Sequence, residues 1–330
     1  LKPLRDVVRT TFVPALLGRA VGDLHWEQLV LPAREGGLSL DDAVADAPRK
    51  HAASKACTAQ LTQLIVDSVR ELPNAKNNTD AARAKAVYTE NAKRLTKEAD
   101  NVQARLTDEM QRRAMECARV KGGSSVLTTM PIAEYGFNFA AKADFQDHLQ
   151  LHLGWPLPRM PDSCPCGKEY SVDHAQICKL GGFIHRRHDD TVDLLAHRMK
   201  QGGYNDVEVE PPLQKLTGER FKHKTANNKE EARSDLRVRD FWTDAKNAFF
   251  DVRVFYPHAP SYRSRKLESL CKSFAADKKR EYEERITQVE HGTFTPLIFP
   301  SSGGMGPEAT VVVKKLAADI ATKRKEPYSS

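Results

Sequence analysis

The spacing of hydrophobic and polar residues differs between the two halves of this chain. In the first half, apolar residues recur at steps of three and four, which is the spacing of one helix face. Residues 1–72 are predicted as short helices around the loop LPAREGGLSL, where Pro32, Gly36 and Gly37 interrupt regular structure. One long helix, capped by Asn77, Asn78 or Thr79, is predicted to continue to about residue 121, where GGSS ends it.

The second half alternates between helical and strand-like patterns. The segment HRRHDDTVDLLAHRMKQGG predicts a helix closed by Gly202 and Gly203, and DVEVEP alternates as a strand does. RSDLRVRDFW and AFFDVRVFYP predict two further strands. A helix over about 261–289, a strand in FTPLIFP and a helix over about 308–325 complete the chain. This order predicts a mixed sheet flanked by helices.

These patterns predict a mixed α/β protein with a helical N-terminal half. The predicted boundaries are a helical segment 1–72, a helical linker 73–160, a cysteine-rich knuckle 161–180 and an α-β-β-β-α-β core within 181–330.

Composition narrows the class of protein. Of 330 residues, 29% are charged and 40% hydrophobic, as in ordinary globular proteins, and no segment is apolar for the roughly 18 residues that a membrane span needs. The formal net charge of +7 permits a nucleic-acid partner. Because the chain opens on Leu1, we interpret it as part of a longer polypeptide or a processed product. A reducing compartment is the expected environment, where clustered cysteines bind metal more often than they form disulfides.

Four soft-metal ligands lie within the fifteen residues CPCGKEYSVDHAQIC: Cys164, Cys166, His174 and Cys178. Thiolates with an imidazole suit zinc, and four of them complete a tetrahedral site with no position left for catalysis. Gly167 favours a tight turn between the ligands. The sequence therefore predicts a structural zinc knuckle; the alternative is ordinary buried cysteines beside a surface histidine.

Two aspartates lie on consecutive predicted strands. Asp235 and Asp251 can meet at one sheet edge, where carboxylates bind Mg²⁺ or Mn²⁺ and the ion activates water against a phosphodiester. Strand alternation places Arg253 on the face of Asp251, where it can bind phosphate. The alternative is a pair of surface aspartates.

This order of elements resembles the PD-(D/E)XK restriction-like nuclease core. The resemblance implies that an acidic residue of the first helix, Asp189, Asp190 or Asp193, assists the metal. Ser234 stands where the motif has proline and Arg253 where it has lysine. Lysines of the following helix are candidates for the missing basic role: Lys266, Lys278 and Lys279.

The knuckle and the core together resemble the C-terminal region of non-LTR retrotransposon polyproteins that carry a restriction-like endonuclease. The similarity is most specific over residues 164–310, and LPAREGGLSL is similar to the segment just after the reverse-transcriptase palm, in the thumb, which implies a thumb-like helical remnant over residues 1–72. The family's nuclease nicks target DNA to prime reverse transcription, which implies a nuclear protein with DNA, and as a second ligand the element's RNA, as partners. The implied catalytic set is Asp235, Asp251, Arg253 and Lys278, with Asp189 at the metal. The candidate nucleic-acid contacts are Arg186, Arg187, His188 and Lys266.

Two other interpretations stay open at this point. A catalytically inactive nucleic-acid-binding relic of the same element is compatible with Ser234 and Arg253. A structural zinc protein that binds a protein partner is compatible with the long charged helix.

Overall fold

The structure, a computed structural model, describes residues 1–69, 79–129, 142–158, 160–180 and 183–327. The described residues form two compact units. One comprises Leu1–Glu116 and Leu127–Trp155, and the other comprises Cys117–Val126 and the residues from Pro156 onward. The division into four segments at 72, 160 and 180 is finer than this and stays a prediction.

The first unit is helical, as predicted. Its helices, with α7 and α8 crossing its limits, are α1 (Lys2–Val7), a π-helical turn (Val8–Phe12), α2 (Val13–Leu17), α3 (Asp23–Val30), a 3-10 turn (Ala33–Glu35), α4 (Ala43–Cys57), α5 (Ala59–Val66), α6 (Thr79–Arg105), α7 (Glu109–Arg119), α8 (Ser125–Thr128) and α9 (Lys142–Leu153). Their apolar faces enclose Leu17, Trp26 and Leu153.

The predicted single long helix is wrong, because α6 ends at Arg105 and α7 begins at Glu109. Asp108 causes the break: its carboxylate accepts the backbone N–H groups of Met110 at 2.7 Å and Gln111 at 3.4 Å, as an N-terminal cap does. The helix α6 starts at Thr79. Asn77 and Asn78, the other predicted caps, lie outside the described residues.

The loop over residues 31–40, hereafter the Gly37 loop, is held by polar groups that bond to its backbone. The Gln28 amide donates to the carbonyl of Gly36 at 3.2 Å, and the buried Glu35 accepts a bond from Thr96 at 3.0 Å. A ring nitrogen of His152 lies 3.3 Å from the carbonyl of Gly37. A Cβ at Gly37 would lie 2.1 Å from the carbonyl oxygen of Leu31, so the close turn requires glycine.

The second unit has the predicted order of helices and strands. Its elements are α10 (Val172–Ile177), α11 (Phe183–Gly202), β1 (Val207–Val209), β2 (Leu236–Arg239), β3 (Asn247–Phe255), α12 (Leu267–Gln288), β4 (Thr293–Pro300) and α13 (Pro307–Arg324). Helix α12 begins at Leu267 and not near Ser261, because turns occupy residues 257–265. Asp235 immediately precedes β2 and does not lie within it.

The described strands form a mixed sheet in the order β1-β2-β3-β4. The pairs β1–β2 and β2–β3 are antiparallel, and β3–β4 is parallel. Alternate side chains of β3 enter different cores: Phe250 and Val252 pack with α11 and α13, whereas Phe255 packs with α12. The mixed α/β fold class is therefore confirmed.

The segment 117–126 supplies part of the second unit's core. Cys117 packs in the same cluster as Phe255 and Phe274, with Val120 beside it. The carbonyl of Lys121 accepts the backbone N–H of Met305 at 2.9 Å. In the part of the chain that the structure describes, no helix combines the length and apolar character needed to cross a membrane.

Candidate functional site

The backbone hydrogen bonds between β2 and β3 stop before β3 ends. Beyond that point, side chains bond to the backbone groups of β3 that face β2. The last paired residues are Leu236 and Phe250, so the backbone groups of Val252 that face β2 have no strand partner there. The Asp235 carboxylate, one residue before β2, accepts the N–H of Val252 at 2.5 Å. His188 of α11 places Nε2 at 3.2 Å from the Val252 carbonyl oxygen. We call this place, with Asp251 and Lys278, the strand-end site.

His188 also contacts both of its acidic neighbours. Its Nε2 lies 3.3 Å from Asp235 Oδ2, and its Nδ1 lies 3.2 Å from Asp189 Oδ1. The hydrogen bond to Asp235 raises the pKa of His188 to about 9 against the desolvation that opposes it, with Asp189 adding to the effect. The strand-end site therefore favours a positive charge at the position of the imidazole.

Asp251 is buried beside a lysine of α12. Its carboxylate lies 2.9 Å from Lys278 Nζ, and the side chain is only 5% exposed. Burial raises the pKa of Asp251 to about 6; Lys278 opposes the shift, and Asp235 adds to it. Burial lowers the pKa of Lys278, but the attraction of Asp251 outweighs it and the net shift is upward. The structure thus brings together Asp235, Asp251 and Lys278.

The other sequence-predicted residues lie in varied surroundings. The guanidinium of Arg253 lies 3.7 Å from the ring centroid of Phe274, so Lys278 is the basic group that contacts Asp251. Asp189 meets His188. Arg186 is exposed, 3.8 Å from Asp190, and Lys266 is exposed at the start of α12.

Arg187 has a structural contact that was not predicted. Its guanidinium bonds to the Gln176 side chain at 2.5 Å and approaches the Gln176 carbonyl at 3.5 Å, which joins α11 to α10. Desolvation lowers the pKa of Arg187. Two neighbours of the strand-end site were also missed by sequence reasoning, Glu281 at 3.6 Å from Lys278 Nζ and Tyr282, whose ring lies 5.4 Å from it. Their spacing of three and four from Lys278 on one helix was the available signal.

The predicted knuckle brings its four candidate ligands together. One ligand atom from each of Cys164, Cys166, His174 and Cys178 lies within 4.8 Å of the others. A tight turn carries the first two: Gly167 adopts φ +83°, and its N–H bonds to the carbonyl of Cys164 at 2.8 Å. Ser171 caps α10 by accepting the N–H of His174 at 3.0 Å, which fixes the imidazole opposite the turn.

The thiol chemistry of the knuckle fits a metal ion. The backbone N–H of Cys166 lowers the pKa of Cys164, but desolvation and the neighbouring thiols outweigh it and raise that pKa. The pKa of Cys166 is lowered, chiefly by the backbone N–H of Lys168. Three thiols and one imidazole in a closed cluster are the donor set of a structural zinc site. The four residues can therefore hold a metal ion and are compatible with zinc.

The knuckle is attached to the core through Asp173 of α10. Its carboxylate accepts a hydrogen bond from the Tyr256 hydroxyl at 2.6 Å and pairs with Arg263. Desolvation and Asp173 raise the pKa of Tyr256, so the phenol remains a donor. Both partners lie in the segment between β3 and α12. No sequence pattern pointed to this attachment.

No protein-family model matches this chain, and no curated protein matches it.

Proposed function

We propose that this chain is the endonuclease portion of a non-LTR retrotransposon protein, a nuclear enzyme that nicks target DNA with Mg²⁺ or Mn²⁺ to prime reverse transcription. The observation that carries the proposal is the strand-end site. The carboxylate that immediately precedes β2, a carboxylate of β3 and a lysine of the following helix converge where the β2–β3 ladder ends. The motif resemblance noted in the sequence assigns nuclease roles to the same residues.

Each residue has a chemical task in this proposal. Asp235 and Asp251 hold the divalent ion, which when bound lowers the pKa of its water and stabilises charge on the phosphate. Lys278 stays protonated because Asp251 raises its pKa, so it binds a phosphate oxygen and does not act as a base. The Asp251 carboxylate is buried against α12 and shielded from water, which strengthens its interaction with a cation.

The knuckle has a different task. Zinc closes the residues 164–178 into one folded unit, and the contacts of Asp173 and Arg187 hold that unit against the core. The exposed Arg186 lies on the first turn of α11, beside this attachment, and supplies a candidate phosphate contact for DNA or RNA.

The test is nicking of supercoiled plasmid by the zinc-loaded chain with added Mn²⁺ or Mg²⁺. Asp251→Asn keeps the shape of the side chain and removes its charge, and we expect it to lower the nicking rate by at least ~100-fold, since even outer-shell partners of a metal matter by 10–100-fold. Asp240→Asn is the matched control, since Asp240 is an exposed aspartate at the end of β2. Equal nicking by both variants would contradict the proposal.

A second candidate, the inactive nucleic-acid-binding relic, is favoured by two contacts. Lys278 already neutralises Asp251, and Arg253 is stacked on Phe274. This candidate predicts DNA binding that weakens steeply with salt and no metal-dependent nicking at any salt concentration. The plasmid assay, run beside a filter-binding titration, separates the two.

Zinc content tests the knuckle separately. We expect Cys178→Ser to lose bound zinc and the exchange protection of α10, because the free energy of zinc binding, of order 10 kcal/mol, maintains the fold of such small sites. Cys57→Ser is the control, because Cys57 lies outside the cluster. Metal analysis and hydrogen exchange provide the two readouts. Full zinc occupancy in Cys178→Ser would exclude the four-ligand site.

A further inference from the structure

Three polar atoms converge at the edge of the strand-end site. His188 Nε2 lies 3.3 Å from Asp235 Oδ2 and 3.2 Å from the carbonyl oxygen of Val252. One oxygen belongs to the residue just before β2, the other to β3, and the nitrogen to α11, so three segments must fold correctly before the atoms meet. The imidazole is 33% exposed, which leaves the cluster open to water on one side.

The spacing of these atoms matches the ligands of a divalent cation. Adjacent ligands of an octahedral ion with bonds of roughly 2.1 Å are separated by roughly 3.0 Å. Ligands of a tetrahedral ion with similar bonds are separated by roughly 3.4 Å. The observed separations of 3.2 and 3.3 Å lie between these values. The separation between Nε2 and each of the two oxygens therefore suits a cation that bridges the imidazole to that oxygen.

The contact that the other imidazole nitrogen makes orients the His188 ring for metal binding. Nδ1 lies 3.2 Å from Asp189 Oδ1, so a proton on Nδ1 is donated to that carboxylate. In the charged imidazole Nε2 also carries a proton, which lies between Asp235 Oδ2 and the Val252 carbonyl oxygen. A cation that binds there displaces this proton to water and takes the lone pair of Nε2 in its place. A carboxylate that fixes the tautomer of a histidine in this way is a recurrent partner of metal-bound imidazoles.

We propose that His188 is a further direct ligand of the divalent cation that Asp235 and Asp251 hold in the proposed function, with the Val252 carbonyl as its neighbour in the site. The inference deepens the proposed endonuclease function and rests on it for the identity of the site. Asp189, predicted from sequence as a metal ligand, becomes a positioning residue that acts through His188. An imidazole ligand shifts the preference of the site from Mg²⁺ towards Mn²⁺ and other transition metals.

His185 provides a natural comparison on the same helix. It is exposed and lies one turn before His188. A general effect of histidines on metal affinity would therefore involve both residues, whereas ligation at the strand-end site involves His188 alone.

The experiment uses the full zinc-loaded chain with one equivalent of Mn²⁺ and needs no turnover. Electron spin-echo modulation reports whether a ¹⁴N nucleus is bonded to Mn²⁺, and labelling the histidines with ¹⁵N identifies the nitrogen as imidazole. We expect a nitrogen coupling in the wild type that disappears in His188→Gln and persists in His185→Gln. The affinity for Mn²⁺, measured from the free-ion signal, should fall by ~10–100-fold in His188→Gln only.

A second variant, Asp189→Asn, tests whether Asp189 orients the imidazole ring of His188. We expect it to retain the nitrogen coupling and to lose a smaller part of the Mn²⁺ affinity. The wild-type spectrum alone decides the inference if His188→Gln does not fold: bound Mn²⁺ without nitrogen coupling would overturn it.

Failure of this inference is distinguishable from failure of the proposed function. Metal-dependent nicking by a chain whose Mn²⁺ shows no nitrogen coupling would leave the endonuclease standing and assign His188 to capping β3. A nitrogen coupling that depends on His188, in a chain that never nicks DNA, would support the metal site and reject the nuclease. Absence of Mn²⁺ binding would overturn both.

Discussion

The Gly37 loop and the strand-end site both bury polar side chains, but they do so with opposite electrostatics. In the Gly37 loop, Gln28 and His152 bond to backbone carbonyls. In the strand-end site, Asp251 faces Lys278 and His188 faces Asp235, so the buried groups are charged and paired.

Two histidines make the difference measurable. Burial lowers the pKa of His152 to about 4, with the Gly37 carbonyl opposing the shift and His148 adding to it. Asp235 raises the pKa of His188 to about 9. Burial among neutral groups favours the neutral imidazole of His152, whereas the carboxylates beside His188 favour its charged form. A strongly shifted pKa next to charged partners is typical of functional sites, which is consistent with the proposal for the strand-end site. The two regions therefore differ in the charge that their buried histidine carries near neutral pH.

Substitution of Gly37 is expected to cause the largest loss of stability. We expect Gly37→Ala to destabilise the first unit by about 4 kcal/mol or more, because the new Cβ would meet the backbone carbonyls of Leu31 and Gln28 at 2.1 and 2.5 Å. Hydrogen exchange in α3 and α9 measures the loss. The control is Gly22→Ala, where a Cβ would meet nothing within 4 Å. Equal protection in both variants would mean that the loop is looser than its contacts indicate.

Substitution of Lys278 is expected to cause the next largest loss of stability. We expect Lys278→Met to destabilise the sheet by about 3 kcal/mol without added metal, since it leaves the Asp251 carboxylate buried without its cation. Exchange rates of β3 amides provide the measurement. Lys279→Met is the matched control, because its pair with Glu308 is more exposed. The double variant Lys278→Met with Asp251→Asn should recover most of the stability, and failure to recover would show that the loss is not electrostatic.

The smallest effect is the acid sensitivity of the first unit. The folded pKa of His152 is about 4 and its ordinary value is 6.5, so the unfolded chain binds the proton first and stability falls as the pH drops from 6.5 towards 4. After allowance for partial exposure, we expect a loss of about 1.5 kcal/mol by pH 5. Urea unfolding followed by Trp26 and Trp155, with Trp242→Phe, measures it.

The control for this acid sensitivity is a second histidine. His152→Gln should lose the pH dependence, whereas His51→Gln, at an exposed position, should retain it. The same slope in all three proteins would assign the acid sensitivity to other groups.

Local spacing was sufficient to predict the knuckle and the succession of elements. The four knuckle ligands lie within one turn and one short helix, so their convergence depends on few backbone angles. The elements from α11 to α13 followed from periodicity, since each pattern is set by which faces are buried.

Sequence reasoning was weaker where distant segments meet. Residue spacing alone left Lys266, Lys278 and Lys279 as alternatives, and Lys278 entered the catalytic set only through the family resemblance. The contact with Asp251 depends on how α12 runs past that residue, which spacing does not give. Sequence reasoning placed Asp235 in a strand, although the residue lies just before β2 and uses its carboxylate to continue the ladder. The break at Asp108 was missed because the apolar steps of three and four continue across it.

The position of residues 117–126 in the second unit has a consequence for dissecting the chain by cloning or proteolysis. The start of the cysteine cluster at residue 161 resembles a domain boundary. A fragment that begins there would lack Cys117 and Val120 and would expose the apolar side of α12 at Phe274. It would also lose the carbonyl that receives the Met305 N–H. Such a fragment is expected to aggregate, and co-expression with a peptide spanning 115–128 is expected to rescue its solubility by complementation.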